Sequence, residues 1–292
     1  IASLLSSAPP RWGIFEPTYP TYPYLLAQIE EVVDHRFALV LLYNSLDSVL
    51  PLPKLNALHE DGRTALLTLQ TTSRAGRPLT YDILSGRYDD FLRSYARDVA
   101  RFGHPVLFRL NNEMNGDWCT YSAYHSSKDP LLFIELWRYI YYIFADEGAT
   151  NAAWVWNPHD LSFPDFVWNQ PLAYFPGSAY VDIVGLTGYN TGTYYPAETW
   201  RSFREIYDPL YAEYDEMYPG YPFIVTEFAS ATSGGDRIAW LEAMSQDLAR
   251  YPRISAYIWW NHIDYDGEIP ARIYRLEPDD PGWQVFKRMF SY

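Results

Sequence analysis

Two glutamates, Glu113 in RLNNEMNGDW and Glu227 in PFIVTEF, each follow an apolar run of buried-strand length. A carboxylate in that position is costly unless it is paired or hydrogen-bonded, which sets these two apart from acids scattered in solvated loops. A glutamate after a strand is by itself unremarkable; two of them facing each other across a cleft are not. Carboxyl groups about 5–5.5 Å apart can break a glycosidic bond with retention of configuration. One protonates the leaving oxygen and later activates water. The other attacks the anomeric carbon and forms a covalent glycosyl intermediate. Other chemistries find less support. No two histidines stand at metal-binding spacing beside a carboxylate, and no G-x-S-x-G elbow occurs, so neither a metal, a cofactor nor a serine nucleophile is expected.

For the two acids to meet, strands must deliver them to one place. The chain alternates short apolar runs with longer amphipathic segments. Strands are expected at Trp12–Glu16, Phe37–Asn44, Thr64–Gln70, Pro105–Asn112, Ala152–Asn157, Val181–Tyr189, Pro222–Phe228 and Ile254–Asn261. Helices are expected at Tyr24–Arg36, Leu52–Asp61, Tyr88–Phe102, Pro130–Gly148, Thr199–Tyr218, Asp236–Tyr251 and Trp283–Phe290, with an irregular loop over residues 158–180. Strands that read as unbroken apolar runs are covered on both faces, as parallel strands are. Eight such units in 292 residues, with no Gly-rich phosphate turn after the first strand, predict an α/β fold of the (β/α)8 TIM-barrel type over residues 1–292 as a single catalytic domain. In that fold the chemistry sits at the C-terminal ends of the strands, and strands four and seven lie across the barrel from each other.

Bulk properties narrow the partners. The net charge of −14 disfavours nucleic acid, and no stretch reaches eighteen apolar residues, so no membrane partner is expected. Residues 1–10 do not read as an intact signal peptide, and a secreted bacterial enzyme is expected to have lost one. The single cysteine, Cys119, excludes an internal disulfide and is read as a bystander. Aromatic residues make up 18% of the chain, including 11 Trp and 27 Tyr. Rings serve equally to fill a core or to line a cleft for sugars, whose C–H faces stack on them.

The segment Arg109–Trp118, RLNNEMNGDW, resembles the acid/base segment of glycoside hydrolase family 26, a group of retaining (β/α)8 glycosidases. AAWVWNP (152–158), the run from Tyr174 to Asn190 and Thr226-Glu227-Phe228 resemble the family's fifth, sixth and seventh strands. The likeness extends from about Trp12 to His262. It implies an endo-acting hydrolase of a β-linked polysaccharide or oligosaccharide, with Glu113 as acid/base, Glu227 as nucleophile and Tyr189 as the hydrogen-bond partner of the nucleophile. Carbohydrate-binding modules attached in a full-length gene product fit the same picture. One departure matters. Mannanases of the family carry His immediately before the acid/base, whereas this chain has Asn112. Asn is usual there elsewhere in the clan, where it bonds the sugar 2-hydroxyl. That hydroxyl is equatorial in glucose and axial in mannose, so a lichenase-type β-1,3-1,4-glucan is the expected substrate. Endo-β-1,4-mannanase, β-1,3-xylanase and a non-catalytic carbohydrate-binding barrel are the alternatives.

Supporting roles follow from position. Trp118 and Trp156 are either sugar platforms or core packing. Trp259 and Trp260 face opposite sides of a strand, and Trp260, nearer its end, is expected to be the platform at the cleavage point. Arg109 points into the barrel to hold the nucleophile's charge, or else pairs with another buried acid. His159 flanks the cleft or sits in a surface loop, and Glu16 ends strand one, where it can bond a distal sugar. Apolar surroundings and the charge of Glu227 are expected to raise the pKa of Glu113 so that it carries a proton at working pH.

Overall fold

The computed structural model describes residues 9–73 and 75–291. Eight parallel strands form a closed barrel in chain order, β1 (Arg11–Phe15), β2 (Leu39–Ser45), β3 (Thr64–Gln70), β4 (Val106–Leu110), β5 (Ala152–Trp156), β6 (Ile183–Thr187), β7 (Phe223–Phe228) and β8 (Ile254–Trp260). The helices are α1 (Tyr24–Val33), α2 (Leu52–Glu60), α3 (Thr80–Leu84), α4 (Asp89–Phe102), α5 (Pro130–Asp146), α6 (Phe203–Met217), α7 (Arg237–Asp247) and α8 (Gly282–Phe290). The expected strands and helices are present with ends shifted by a few residues; the short α3 was not foreseen. The described chain separates into two compact units, residues 41–187 and residues 9–40 with 188–291.

Local chemistry sets the element ends. Helix α4 opens with Asp89 and Asp90 and stops at Gly103, whose φ of 69° suits the left-handed cap. Asp129 caps α5 by accepting from Leu131 N–H, and Pro130 occupies its first turn. Ser202 and Glu205 form a reciprocal capping box, which starts α6 later than periodicity alone suggests. Asp236 caps α7 through the N–H groups of Ile238 and Ala239.

Most of the aromatic content lies between strands and helices. In the unit of residues 41–187, Trp154 of β5 meets Trp137 and Phe144 of α5 with ring centroids 5.5 and 5.3 Å apart. In the other unit, Trp12 stacks on Tyr257 at 5.2 Å and meets Phe286 of α8 edge-on at 5.7 Å. Trp259 is fully buried against Phe228 and Phe286. Each such side chain removes a large apolar area from water, worth about 1.5–3 kcal/mol when fully buried.

After β8 the chain adds an antiparallel hairpin, β9 (Ile263–Asp266) and β10 (Ile269–Ile273), in which Ile269 pairs with Asp266. The intervening Gly267-Glu268, with Gly267 at φ 62°, is a two-residue loop with Gly first, a hairpin signal that the strand count passed over. His262 sits between β8 and this hairpin, its ring against Phe15 and Trp260. Its Nδ1 is buried without a protein partner among the described residues. Burial depresses the pKa of His262 below 6.5, opposed by the nearby charges of Glu16 and Asp264.

Two outcomes follow. Gly13 is flanked by β2 and β8, and a Cβ there would stand 2.8 Å from Leu39 Cβ and 2.9 Å from Ile258 Cγ1. Gly13→Ala should cost about 1–3 kcal/mol, read as a lower urea midpoint at unchanged slope. An unchanged midpoint would contradict the packing of β1. For His262, the folded state binds the proton less tightly than the unfolded chain, so stability falls as pH drops through 6.5. His262→Phe removes that dependence. Its melting temperature should match wild type near neutral pH and exceed it at about pH 5. A constant difference across that range would contradict the assignment.

Candidate active site

In the unit of residues 41–187, the end of β4 is built around Glu113. The backbone turns left-handed at Asn111 (φ 55°) and again at Glu113 (φ 54°). Asparagine tolerates that conformation, and here its Oδ1 accepts from Thr71 N–H at 2.8 Å. For glutamate it stores about 1–2 kcal/mol of strain, so contacts must hold it. Glu113 N–H donates to Asn157 O at 2.8 Å, and Glu113 O accepts from Gly116 N–H at 2.9 Å. The side chain, 9% exposed, accepts Trp118 Nε1–H on Oε2 at 2.9 Å. Gly116 makes that bond possible, because a Cβ there would stand 2.4 Å from the indole of Trp118.

The neighbours are tightly cross-linked. Asn112 accepts Gln70 Nε2–H on Oδ1 at 3.0 Å and Tyr121 Oη–H on its backbone O at 2.7 Å, and among the described residues its Nδ2 has no acceptor. Arg109 is wholly buried, with Nε to Thr68 Oγ1 at 2.7 Å, Nη1 to Asn157 Oδ1 at 2.8 Å, and the Tyr43 ring 5.5 Å from its guanidinium carbon. His159 lies edge-on to Trp118 at 5.1 Å and is buried, with Leu161 N–H donating to its Nδ1 at 3.1 Å. It belongs to the packed flank of Glu113's surroundings and not to an open surface loop. Trp118 is 48% exposed, with ring surface open to solvent.

Trp156 is a correction to the platform expectation. It is fully buried, donates Nε1–H to Tyr174 O at 3.2 Å and packs edge-on against Phe175. Side chains alternate along a strand, so Trp156 shares the outward face of β5 with Trp154, while Asn157 takes the other face and meets Arg109. Packing is therefore its role.

In the unit of residues 9–40 and 188–291, Glu227 ends β7 at 3% exposure. Tyr189 Oη donates to Glu227 Oε2 at 2.6 Å, and Gly188 N–H donates to Glu227 O at 3.3 Å. Trp260 stacks on Phe15 at 5.5 Å and meets Tyr189 edge-on at 6.0 Å, on the face of β8 opposite Trp259. Glu16 is buried and occupied by its own surroundings: Oε1 accepts from Thr18 N–H (3.1 Å) and Oγ1–H (2.9 Å), and Oε2 accepts from Asn261 Nδ2 (3.3 Å). Those bonds fix the turn after β1 and leave Glu16 poorly placed to reach a distal sugar.

Several residues escaped sequence reasoning. Asn115, wholly buried, accepts His159 N–H on Oδ1 at 2.8 Å and donates through Nδ2 to His159 O at 3.0 Å. It ties the Glu113 turn to the β5–β6 loop. Asp264 of the hairpin feels the charge of Glu227; burial pushes its pKa up, and the Arg272 guanidinium, bonded at 3.0 Å, opposes the shift. Arg272 also binds Glu198 at 2.7 Å and covers the Tyr195 ring at 4.9 Å. The Gly267-Glu268 hairpin signal could have placed Asp264; nothing local marks Asn115. Among the described residues no group of three or more His, Cys, Asp or Glu could hold a metal ion, and no helix is long and apolar enough to cross a membrane.

Residues 79–220 match the model of glycosyl hydrolase family 26, a segment that contains Glu113 and ends seven residues before Glu227. Endoglucanase H of Acetivibrio thermocellus is 30% identical over 215 residues, covering 72% of this chain and 23% of the relative. A mannan endo-1,4-beta-mannosidase of Bacillus subtilis is 30% identical over 173 residues, covering 56% of this chain and 41% of the relative. The chain thus spans less than half the length of either. Among solved structures, the catalytic domain of the Bacillus sp. JAMB-750 family 26 endo-beta-1,4-mannanase superposes with a TM-score of 0.72 at 18% identity, covering all of this chain and 88% of the other, which supports the barrel fold. Through this match at its centre, and the relatives that share it, the chain is similar to glycosyl hydrolase family 26.

Proposed function

We propose that the chain, as one catalytic domain, is a retaining endo-β-glycanase in which Glu113 is the acid/base and Glu227 the nucleophile. The observation that carries this reading is the environment of Glu227. It is a nearly buried carboxylate at the end of an apolar strand, held through Oε2 by a tyrosine hydroxyl. Such a bond aims the carboxylate and still lets its oxygen attack an anomeric carbon. Glu113 is held by an indole N–H, which orients its carboxyl toward one side of the scissile bond. Trp260 is the platform beneath the reacting sugar, and Trp118 the platform for the first leaving-group sugar. Arg109 positions Asn157, and with it the Glu113 backbone.

For the substrate, a lichenase-type β-1,3-1,4-glucan is favoured by Asn112, whose free Nδ2 suits an equatorial 2-hydroxyl. The relative named Endoglucanase H supports a glucan. The second reading, β-1,4-mannan, is supported by the relatives named as mannosidases. Secretion, and carbohydrate-binding modules attached in a longer gene product, belong to the same proposal.

Turnover of barley β-glucan and lichenan, with little on galactomannan, is the expected outcome of a substrate panel. The reverse preference would overturn the glucan choice. Sugar binding without any turnover would favour a binding module. Glu227→Ala should abolish hydrolysis of every substrate. Glu113→Ala should lower kcat/KM for the polysaccharide by roughly 10²–10⁴-fold while leaving kcat/KM for a dinitrophenyl glycoside, whose leaving group needs no acid, nearly intact. Equal losses on both substrates would reject the acid assignment.

A further inference from the structure

The connection between β5 and β6 presents Phe163 (42% exposed) and Phe166 (56% exposed), with Trp168 stacked beside Phe166 at 6.3 Å and 28°. Apolar surface of this kind on a soluble protein marks a binding face. The backbone beneath is not loose. Asn169, wholly buried, donates to Asn115 O at 2.8 Å and Pro164 O at 2.9 Å, and its Oδ1 accepts from Tyr174 Oη–H. Phe163 N–H donates to Asn115 O at 2.9 Å. The loop is therefore held in register with Glu113, two residues before Asn115. Rings fixed in advance lose little conformational freedom when a ligand stacks on them.

Phe163 joins the patch to the candidate site. The Phe163 ring lies 5.4 Å from that of Trp118, whose Nε1–H is bonded to Glu113. Polar groups accompany the rings: Gln170 Nε2 donates to Asp165 Oδ1 at 2.6 Å. Rings together with amide and carboxylate groups are what a neutral, hydroxyl-rich chain requires. An acid/base group stands beside the leaving oxygen, so a surface that continues outward from it lies on the leaving-group side.

We infer that Phe163 and Phe166 form a sugar platform extending the leaving-group side of the cleft beyond Trp118, for a polysaccharide chain. The inference rests on the role proposed for Glu113. It makes the enzyme grip long substrates on the side that departs first.

The test compares Phe163→Ala, Phe166→Ala, the double variant and Phe166→Trp in the full chain, on the polysaccharide that wild type hydrolyses best and on an aryl glycoside with a single-ring leaving group. KM for the polysaccharide should rise about two- to tenfold per ring removed, and Phe166→Trp should restore it. Aryl-glycoside kcat/KM should be unchanged in Phe166→Ala, because that leaving group ends at Trp118 and the Phe166 ring stacks on Trp168. Affinity gel electrophoresis of the same variants in the Glu227→Ala background should show weaker retention by the polysaccharide, a readout that needs no turnover. Unchanged KM and retention in folded variants would overturn the platform. So would unchanged kinetics together with loss of a concentration-dependent self-association, which would assign the patch to protein contacts. Wild type that binds glycans through these rings without cutting them would instead sink the catalytic reading and leave the platform standing.

Discussion

A glutamate in a left-handed backbone conformation at the end of an apolar strand does not stay there unaided. One contact that holds it, and that ties it to the next strand, is the hydrogen bond from Glu113 N–H to the carbonyl of Asn157. Asn157 is itself wholly buried, and its side chain takes Arg109 on Oδ1 and gives Nδ2–H to Thr187 Oγ1 at 3.0 Å. One asparagine therefore joins the ends of β4, β5 and β6. Buried polar networks are costly when half satisfied and rigid when complete. The orientation of the Glu113 carboxyl, the indole bond from Trp118 and the register of the β5–β6 loop all depend on this junction.

Around Glu227 the solution is different. Its pairing with β8 shifts register between Val225 and Phe228, and the carboxylate is aimed by a phenol, that of Tyr189. The ring of Tyr189 is in turn braced by Tyr274 at 5.0 Å and by Trp260. Both carboxyls meet a side-chain donor, an indole for Glu113 and a phenol for Glu227, while the backbone bonds of Glu113 hold its left-handed turn. In a double displacement an acid/base faces one position through both steps, the leaving oxygen in the first and the attacking water in the second, while the nucleophile gains and then loses its bond to the anomeric carbon.

Much of this was legible because burial on both faces leaves a plain mark. FALVLLYN, TALLTLQ and PFIVTEF allow little besides covered parallel strands, and the polar residue that follows each such run must be bonded or functional. Trp156 shows where reading along the chain misled. It stands next to Asn157 at a strand end, yet parity places it with Trp154 on the helix side. Glu16 was read from its position at a strand end, but its oxygens are consumed by Thr18 and Asn261, the latter 245 residues away in the chain. Asn115 and Gly116 were passed over because their value is relational: one clamps a distant loop, and the other makes room for a ring. The β9–β10 hairpin was missed for a simpler reason, since a Gly267-Glu268 turn between alternating residues was available to be read.

The central claim is that cleavage proceeds through two displacements at one anomeric carbon. The configuration of the newly formed reducing end reports this directly. Proton NMR during the first minutes of hydrolysis, before mutarotation, should show the β-anomer appearing first and the α-anomer growing in later. An α-anomer formed first would mean a single displacement by water, and the roles assigned to Glu113 and Glu227 would have to be abandoned.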